Sequence, residues 1–346
     1  MAAGPIYSQR LGAISDAQFE AVAERWDLGH FIGAAPVTSG LFSQNVFVTT
    51  TAGEFVLRGA PHWVRAIGET EFRQEDRWQF TKEMFFARQL HEQTRAPAPW
   101  PMLHDEATDI FGWPYIVMPR MPGDCFDERT IRKALGAEDR RAVAAALGAN
   151  LVEMQKLRWP FAGDFDPTSI ELTAYVGGPT QRVIDETAMW LESSAAHGSI
   201  TRDDRAWFDQ AVGQALEGAG EPANTYVHCD YKLNNLTVTH DDDGWRVSGL
   251  FDFHEARFAD GALDIVRQAC AYFDNEPPLA KVFVETYRKS APPDPSVAQR
   301  MPLYIINDRM KLWEYFTRPD LRASWTQGKT FRGWAQRRLD DILNLL

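Results

Sequence analysis

The stretch richest in chemistry reads Tyr226-Val227-His228-Cys229-Asp230-Tyr231-Lys232-Leu233-Asn234-Asn235, followed by Gly249-Leu250-Phe251-Asp252-Phe253. Phosphoryl transfer needs a carboxylate at the attacking hydroxyl and oxygen ligands for Mg2+ beside the phosphates. Magnesium favours Asp and Asn oxygens together with phosphate oxygens. A His-x-Asp-x-x-x-x-Asn segment on a loop between strands offers the base and one ligand. An Asp that ends an apolar strand one hairpin later offers the other. Asp and Asn also favour ordinary turns, so the weight of the pattern lies in its flanking strands.

Those residues need elements to hold them. Ser15-Asp16 can cap a helix running to about residue 28, with Phe19, Val22, Ala23 and Trp26 at helical spacing. The period then shortens: residues 42–50 and 54–57 carry Val, Phe and Thr, with Ala52-Gly53 between them as a hairpin turn. A helix is expected over about 75–93, and the proline-rich run 96–101 enforces an extended connector. Residues 113–118 read as a strand ended by Pro119, Pro122 and Gly123, and the lobe boundary is placed there. Helical stripes return at 140–157, 180–194 and 203–216. Short strands are expected at 226–228, 236–239 and 245–251, with a turn at Asp241-Asp242-Asp243-Gly244. Helices resume from about 261, broken at Ala291-Pro292-Pro293 and near Pro319.

This order of parts resembles the protein-kinase-like superfamily, and within it the aminoglycoside phosphotransferase and choline kinase family. The likeness covers nearly the whole chain. Ser39-Gly40-Leu41-Phe42-Ser43-Gln44-Asn45 stands where that family has its phosphate-covering loop, and Phe55-Val56-Leu57-Arg58 matches its strand ending in a basic residue. Glu83 lies on the following helix, and Val117-Met118-Pro119-Arg120-Met121-Pro122-Gly123 matches the hinge.

The resemblance implies roles residue by residue. Asp230 would orient the substrate hydroxyl and accept its proton, and Asn235 and Asp252 would hold Mg2+. Arg58 would contact the nucleotide phosphates with Glu83 as its ion-pair partner, for which Glu69, Glu71 and Glu75 compete. Ser39, Gly40 and Ser43 would share phosphate contacts, Lys232 would reach the γ-phosphate, and His228 would buttress the loop. The backbone near Val117, Met118 and Pro119 would bind adenine. Some positions depart from the family pattern. Cys229 stands where the small members usually have Gly. Phe253-His254 replaces the Phe-Gly of protein kinases, which argues against a protein-kinase activation loop. Ala259-Asp260-Gly261 stands for the family's Gly-Asp-Pro, and Asp264 still fits its structural aspartate. Cys229 is expected to be a packing residue and His254 a local hydrogen-bonding one, while the tryptophans, including Trp313, Trp325 and Trp334, are expected in the core, with some lining an acceptor pocket as the alternative.

Composition bounds the rest. The chain has 346 residues, 45% of them hydrophobic and 24% charged, which is globular and neither disordered nor fibrous. Its 36 Lys and Arg against 48 Asp and Glu give a net charge of −12, a poor match to nucleic acid or an anionic membrane. Three scattered cysteines, no signal-peptide layout at the start and no long apolar run lead us to expect a cytoplasmic protein.

The expected fold is α+β and two-lobed, protein-kinase-like, with a β-rich nucleotide-binding lobe at 1–118 and a mainly helical catalytic and acceptor lobe at 119–346. The expected activity is transfer of the γ-phosphoryl of ATP or GTP, with Mg2+, to a hydroxyl of a small molecule such as an aminoglycoside, a macrolide or another metabolite, by a monomer or homodimer. The alternative is a catalytically silent, nucleotide-binding pseudokinase.

Overall fold

A computed structural model of the chain describes residues 6–8, 11–37, 45–59, 77–217, 222–319 and 323–346. Ser39, Gly40 and Ser43, with the rest of the expected phosphate-covering loop before Asn45, lie outside the described residues, as do Glu69, Glu71 and Glu75. A small hairpin, β1 (Ile6–Ser8) and β2 (Gly12–Ala13), precedes α1 (Asp16–Arg25). Ser15 caps α1 as expected, and Gln18 returns the bond to complete a capping box, but the helix stops at Arg25, and Asp27 takes a left-handed φ of 53°.

Strands β3 (Phe31–Pro36), β4 (Asn45–Thr50) and β5 (Gly53–Gly59) come next, then α2 (Arg77–Gln93), β6 (Leu103–Asp105) and β7 (Tyr115–Pro119). They form a five-stranded antiparallel sheet in the order β3-β4-β5-β7-β6. Alternation sets β4, with Val46, Val48 and Thr50 inward. Its turn to β5 is Thr51-Ala52, one residue earlier than expected, since Thr50 pairs with Gly53.

The second half holds α3 (Thr130–Ala134), α4 (Ala137–Met154), β8 (Gly163–Phe165), β9 (Leu172–Ala174), α5 (Gly178–Ala196) and α6 (Arg202–Glu217). Next are β10 (Asn224–Val227), β11 (Leu236–Asp241), β12 (Gly244–Leu250) and β13 (Arg257–Asp260). Four helices follow: α7 (Leu263–Asn275), α8 (Pro277–Ser290), α9 (Val297–Thr317) and α10 (Phe331–Leu343). Strands β10, β13, β8 and β9 make a second sheet, and β11 and β12 a hairpin whose acidic tip, Asp241 to Asp243, is exposed. The molecule is a two-lobed α+β structure.

Two apolar cores result. One joins α1 to the first sheet through Phe19, Val46, Leu57 and Tyr115. The other fills the helical half, and α2 belongs to it through Phe80, Phe86 and Leu90, so this helix ties the halves together. Trp313 is fully buried there, with Trp325 and Trp334 packed against it.

Within this core α4 and α8 pack so closely that a Cβ at Gly148 would sit 2.5 Å from the Phe283 carbonyl oxygen. Gly148→Ala is therefore expected to destabilise by about 1–3 kcal/mol despite alanine's better helix propensity. A lowered urea midpoint with unchanged slope is the readout.

The hinge after β7 is tied at both ends. The Arg120 N–H donates to the Glu54 carbonyl at 3.0 Å, and Ser248 Oγ donates to the Pro122 carbonyl at 2.6 Å. Asp124 and Val238 exchange two backbone bonds of 2.9 and 3.0 Å. Gly123 sits at φ 94°, where a Cβ would lie 2.3 Å from the Val238 carbonyl oxygen, so glycine is required.

Candidate active site

Strand β10 delivers His228, Cys229 and Asp230 to one edge of the cleft, and α7 holds them from behind. Asp264 Oδ2 accepts from the His228 N–H at 2.7 Å and Oδ1 from the Cys229 N–H at 2.8 Å. Burial pushes the Asp264 carboxyl up to about 6, against the pull of those bonds. Cys229 takes a left-handed φ of 63°, a conformation that favours glycine and that here carries a side chain. Its Sγ accepts from Arg257 Nε at 2.9 Å, and burial pushes its thiol up to about 12, so it packs rather than reacts. His228 is fully buried, with Nε2 2.9 Å from the Phe251 carbonyl oxygen, which fastens the loop to the strand carrying Asp252.

Asp230 is contacted on both oxygens. Oδ1 accepts from Arg267 Nε at 2.9 Å, and Oδ2 accepts from Lys232 Nζ at 2.6 Å and Asn235 Nδ2 at 2.8 Å. Burial works against its charge, but Arg267 and Lys232 outweigh burial and hold the carboxyl below the usual range. It is an ionised acceptor in a mostly buried place.

Asp252 follows β12 in a left-handed conformation, φ 70° and ψ 58°, which turns its carboxylate out of the strand. His254 Nδ1 lies 2.7 Å from Oδ1, and Arg58 Nη2 lies 3.9 Å from the same oxygen. Despite burial, these cations draw the Asp252 carboxyl down, and Asp252 with Glu255 pushes His254 up to about 10. Across the cleft, Arg58 at the end of β5 donates to Glu83 Oε2 on α2 at 2.7 Å. Burial pushes the Glu83 carboxyl up against the pull of Arg58. The expected ion pair is therefore formed by Glu83, and through Asp252 it reaches the metal-ligand candidate. Val117 and Met118 lie in β7, paired with Leu57 and Val56.

The oxygen donors suit a hard cation. Asn235 Nδ2 is engaged by Asp230, at its backbone oxygen (2.9 Å) as well as its carboxylate, which leaves the Asn235 amide oxygen for a metal. One carboxylate and one amide oxygen, without thiolate or imidazole ligands, match an ion that keeps phosphate and water oxygens. Among the described residues no group of three or more His, Cys, Asp or Glu could hold a metal by itself.

The sequence matches the phosphotransferase enzyme family (APH) over residues 33–299. The chain belongs to this family. It is a small-molecule kinase acting on hydroxyl groups, and its structural neighbours agree in fold. The aminoglycoside phosphotransferase APH(4)-Ia is 15% identical, with 96% of this chain and 99% of that one covered at a TM-score of 0.60. The wild-type aminoglycoside 2'-phosphotransferase-IIIa, solved as its GDP complex, is 11% identical over 98% and 100% of the two chains at 0.60. APH(2")-IIa, solved as a streptomycin–ATP ternary complex, is 13% identical over 91% and 97% at 0.54. No curated protein matches the chain. Among the described residues no helix is long and apolar enough to cross a membrane.

In this phosphotransferase a cavity of about 240 Å³ is lined by Cys229, Glu255, Asp308, Trp78 and Trp190 among others. Its charged walls are internally paired. Lys82 meets Asp164 at 2.7 Å, Arg257 forks onto Glu186 at 2.8 and 3.0 Å, and Lys311 pairs with Glu255. The sequence reading missed these pairs, and missed Arg267 and Asp308. Arg267 lies one helical turn beyond Asp264, and that spacing was the available signal.

Proposed function

We propose that this phosphotransferase moves the γ-phosphoryl of ATP or GTP to a hydroxyl of a compact acceptor, with Mg2+ held by Asn235 and Asp252. The observation that carries this reading is Asp230, kept ionised beside Lys232 and Asn235 on a loop joined to Asp252 through His228. The acceptor hydroxyl oxygen bonds to the γ-phosphorus as the β–γ bridging bond breaks. The bond's electron pair stays on the nucleoside diphosphate, and the hydroxyl proton passes to Asp230. When bound, Mg2+ supplies neutralisation of phosphate charge. Arg58, fixed by Glu83, contacts the phosphates, and Lys232 swings from Asp230 to the transferring group. The purine lies against the hinge near Val117, Met118 and Pro119, where the lobes meet at 118/119. Relatives solved with ADP, with GDP, and with ATP and streptomycin support a nucleotide donor and a small-molecule acceptor.

The cavity narrows the acceptor. Its carboxylates Asp164, Glu186, Glu255 and Asp308 each have an internal cation, so a polycationic amino sugar would have to break existing pairs. Trp78 and Trp190 offer apolar walls instead. An uncharged or zwitterionic polyol with one apolar face fits better. Product mass after incubation with Mg2+–nucleotide and a panel of sugars, hydroxy amino acids, macrolides and aminoglycosides tests this. We expect a gain of one phosphate, with kcat/KM for the best uncharged or zwitterionic acceptor at least about tenfold above any aminoglycoside. A preference for aminoglycosides would refute the acceptor assignment. Nucleotide binding without turnover across the panel would favour the silent pseudokinase.

A further inference from the structure

The first turns of α7 present Asp264, Arg267 and Gln268 on one face, at positions i, i+3 and i+4. All three grip the same loop. Asp264 accepts the His228 and Cys229 N–H groups, Gln268 Oε1 accepts the Leu233 N–H at 2.7 Å, and Arg267 donates to the Asp230 side chain between them. Arg267 is itself held from the far side. Its Nη1 donates to Asp308 Oδ1 on α9 at 3.2 Å, while Asp308 Oδ2 is taken by Arg309 Nε at 2.8 Å. The Arg267 side chain is 13% exposed and lies between two carboxylates whose side chains are 10% and 13% exposed.

The two oxygens of Asp230 therefore differ in kind. The Oδ1 partner is a planar guanidinium fixed at both ends, which has nowhere to go. The charged Oδ2 partner is Lys232, a flexible ammonium whose side chain is 26% exposed, free to leave for a phosphate. We infer that Arg267, backed by Asp308, is a positioning residue that fixes the Asp230 carboxylate and assigns its Oδ2 as the atom receiving the acceptor's proton. The inference rests on the reading of Asp230 as the base. With Oδ1 pinned and Asn235 Nδ2 still donating to Oδ2, departure of Lys232 opens only the remaining face of Oδ2 to the hydroxyl. Without Arg267 the carboxylate would keep only the Asn235 amide as a fixed partner and could turn about χ2 to meet the hydroxyl out of line.

Arg267→Met, Arg267→Lys and Asp230→Asn separate the two ideas, with nucleotide binding and thermal midpoint measured alongside steady-state kinetics. Arg267→Met is expected to lower kcat by about 10²-fold with KM for nucleotide within about threefold, the mark of misplacement rather than lost binding. Arg267→Lys should recover most of kcat, since one donor is enough to hold Oδ1. If Arg267→Met does not fold, Asp308→Asn, which loosens only the far end, should lower kcat about tenfold with KM unchanged. An inactive Asp230→Asn beside an Arg267→Met of undiminished kcat would overturn the positioning role alone. A fully active Asp230→Asn would overturn the base assignment and this inference with it. A kcat loss in Arg267→Lys equal to that in Arg267→Met, following the fall in thermal midpoint, would reduce Arg267 to a structural role.

Discussion

Asp230→Asn is expected to lower kcat by about 10²- to 10⁴-fold while nucleotide affinity changes little. The substitution keeps the shape of the side chain, and its amide oxygen can still face Arg267. What it removes is a basic oxygen at Oδ2, where an amide nitrogen can donate but cannot take a proton. The surroundings mark this as a deliberate site. Burial alone would favour a neutral carboxyl, yet Arg267 and Lys232 keep the group charged, ready to accept. Removing the charge also releases Lys232, which weakly favours phosphate contact, so binding should not suffer. Single-turnover product mass against equilibrium nucleotide binding checks both halves. Retained turnover would sink the assignment, and a parallel loss of binding would move Asp230 from proton acceptor to nucleotide ligand.

The largest expected effect on stability is at Arg257. This side chain is buried, forks onto Glu186 with both terminal nitrogens and donates Nε to Cys229 Sγ. Arg257→Met should cost about 3–5 kcal/mol, because Glu186 would stay buried and lose its main partner. Arg182 is a second contact to Glu186 at 2.9 Å, but its side chain is 40% exposed and screened. Arg257→Met with Glu186→Met should be much less harmful than the sum of the single changes, since the pair's desolvation cost disappears along with its attraction. Urea midpoints of the three variants measure this directly. Additive losses would mean that the fork contributes through packing alone.

The residues of the candidate site were legible as a group because they are tied by local spacing. Asp230 and Asn235 share one loop, Asp252 ends the next hairpin, and a β10–β11–β12 island among helices is visible in the period change. Ser15 was readable for the same reason, since a cap acts within three residues. What escaped notice depends on distant pairing. Strands β8 and β9 have three residues each and exist only because β13 and each other supply ladder partners. The break between α7 and α8, by contrast, is a local feature, marked by Pro277-Pro278 in the first turn of α8. Arg267 sits on a helix read chiefly for its apolar stripe, and Asp308 lies 41 residues further along, so no local window joins them. Lys82 on α2 and Asp164 on β8 escape a local reading for a similar reason, since they come from elements far apart in the chain.

The tied hinge has a consequence for inhibitor chemistry. Pro119 and Pro122 have no N–H, and that of Arg120 is engaged by the Glu54 carbonyl, so within 119–122 only Met121 keeps a backbone donor without a partner among the described residues. If the purine lies here as proposed, a competitive scaffold should present one acceptor to that donor and point its own donors at the neighbouring carbonyls. A second ring acceptor on the same edge would be desolvated against nothing, at about 1–3 kcal/mol. Ligands built for hinges with two free N–H groups should therefore bind this enzyme selectively worse.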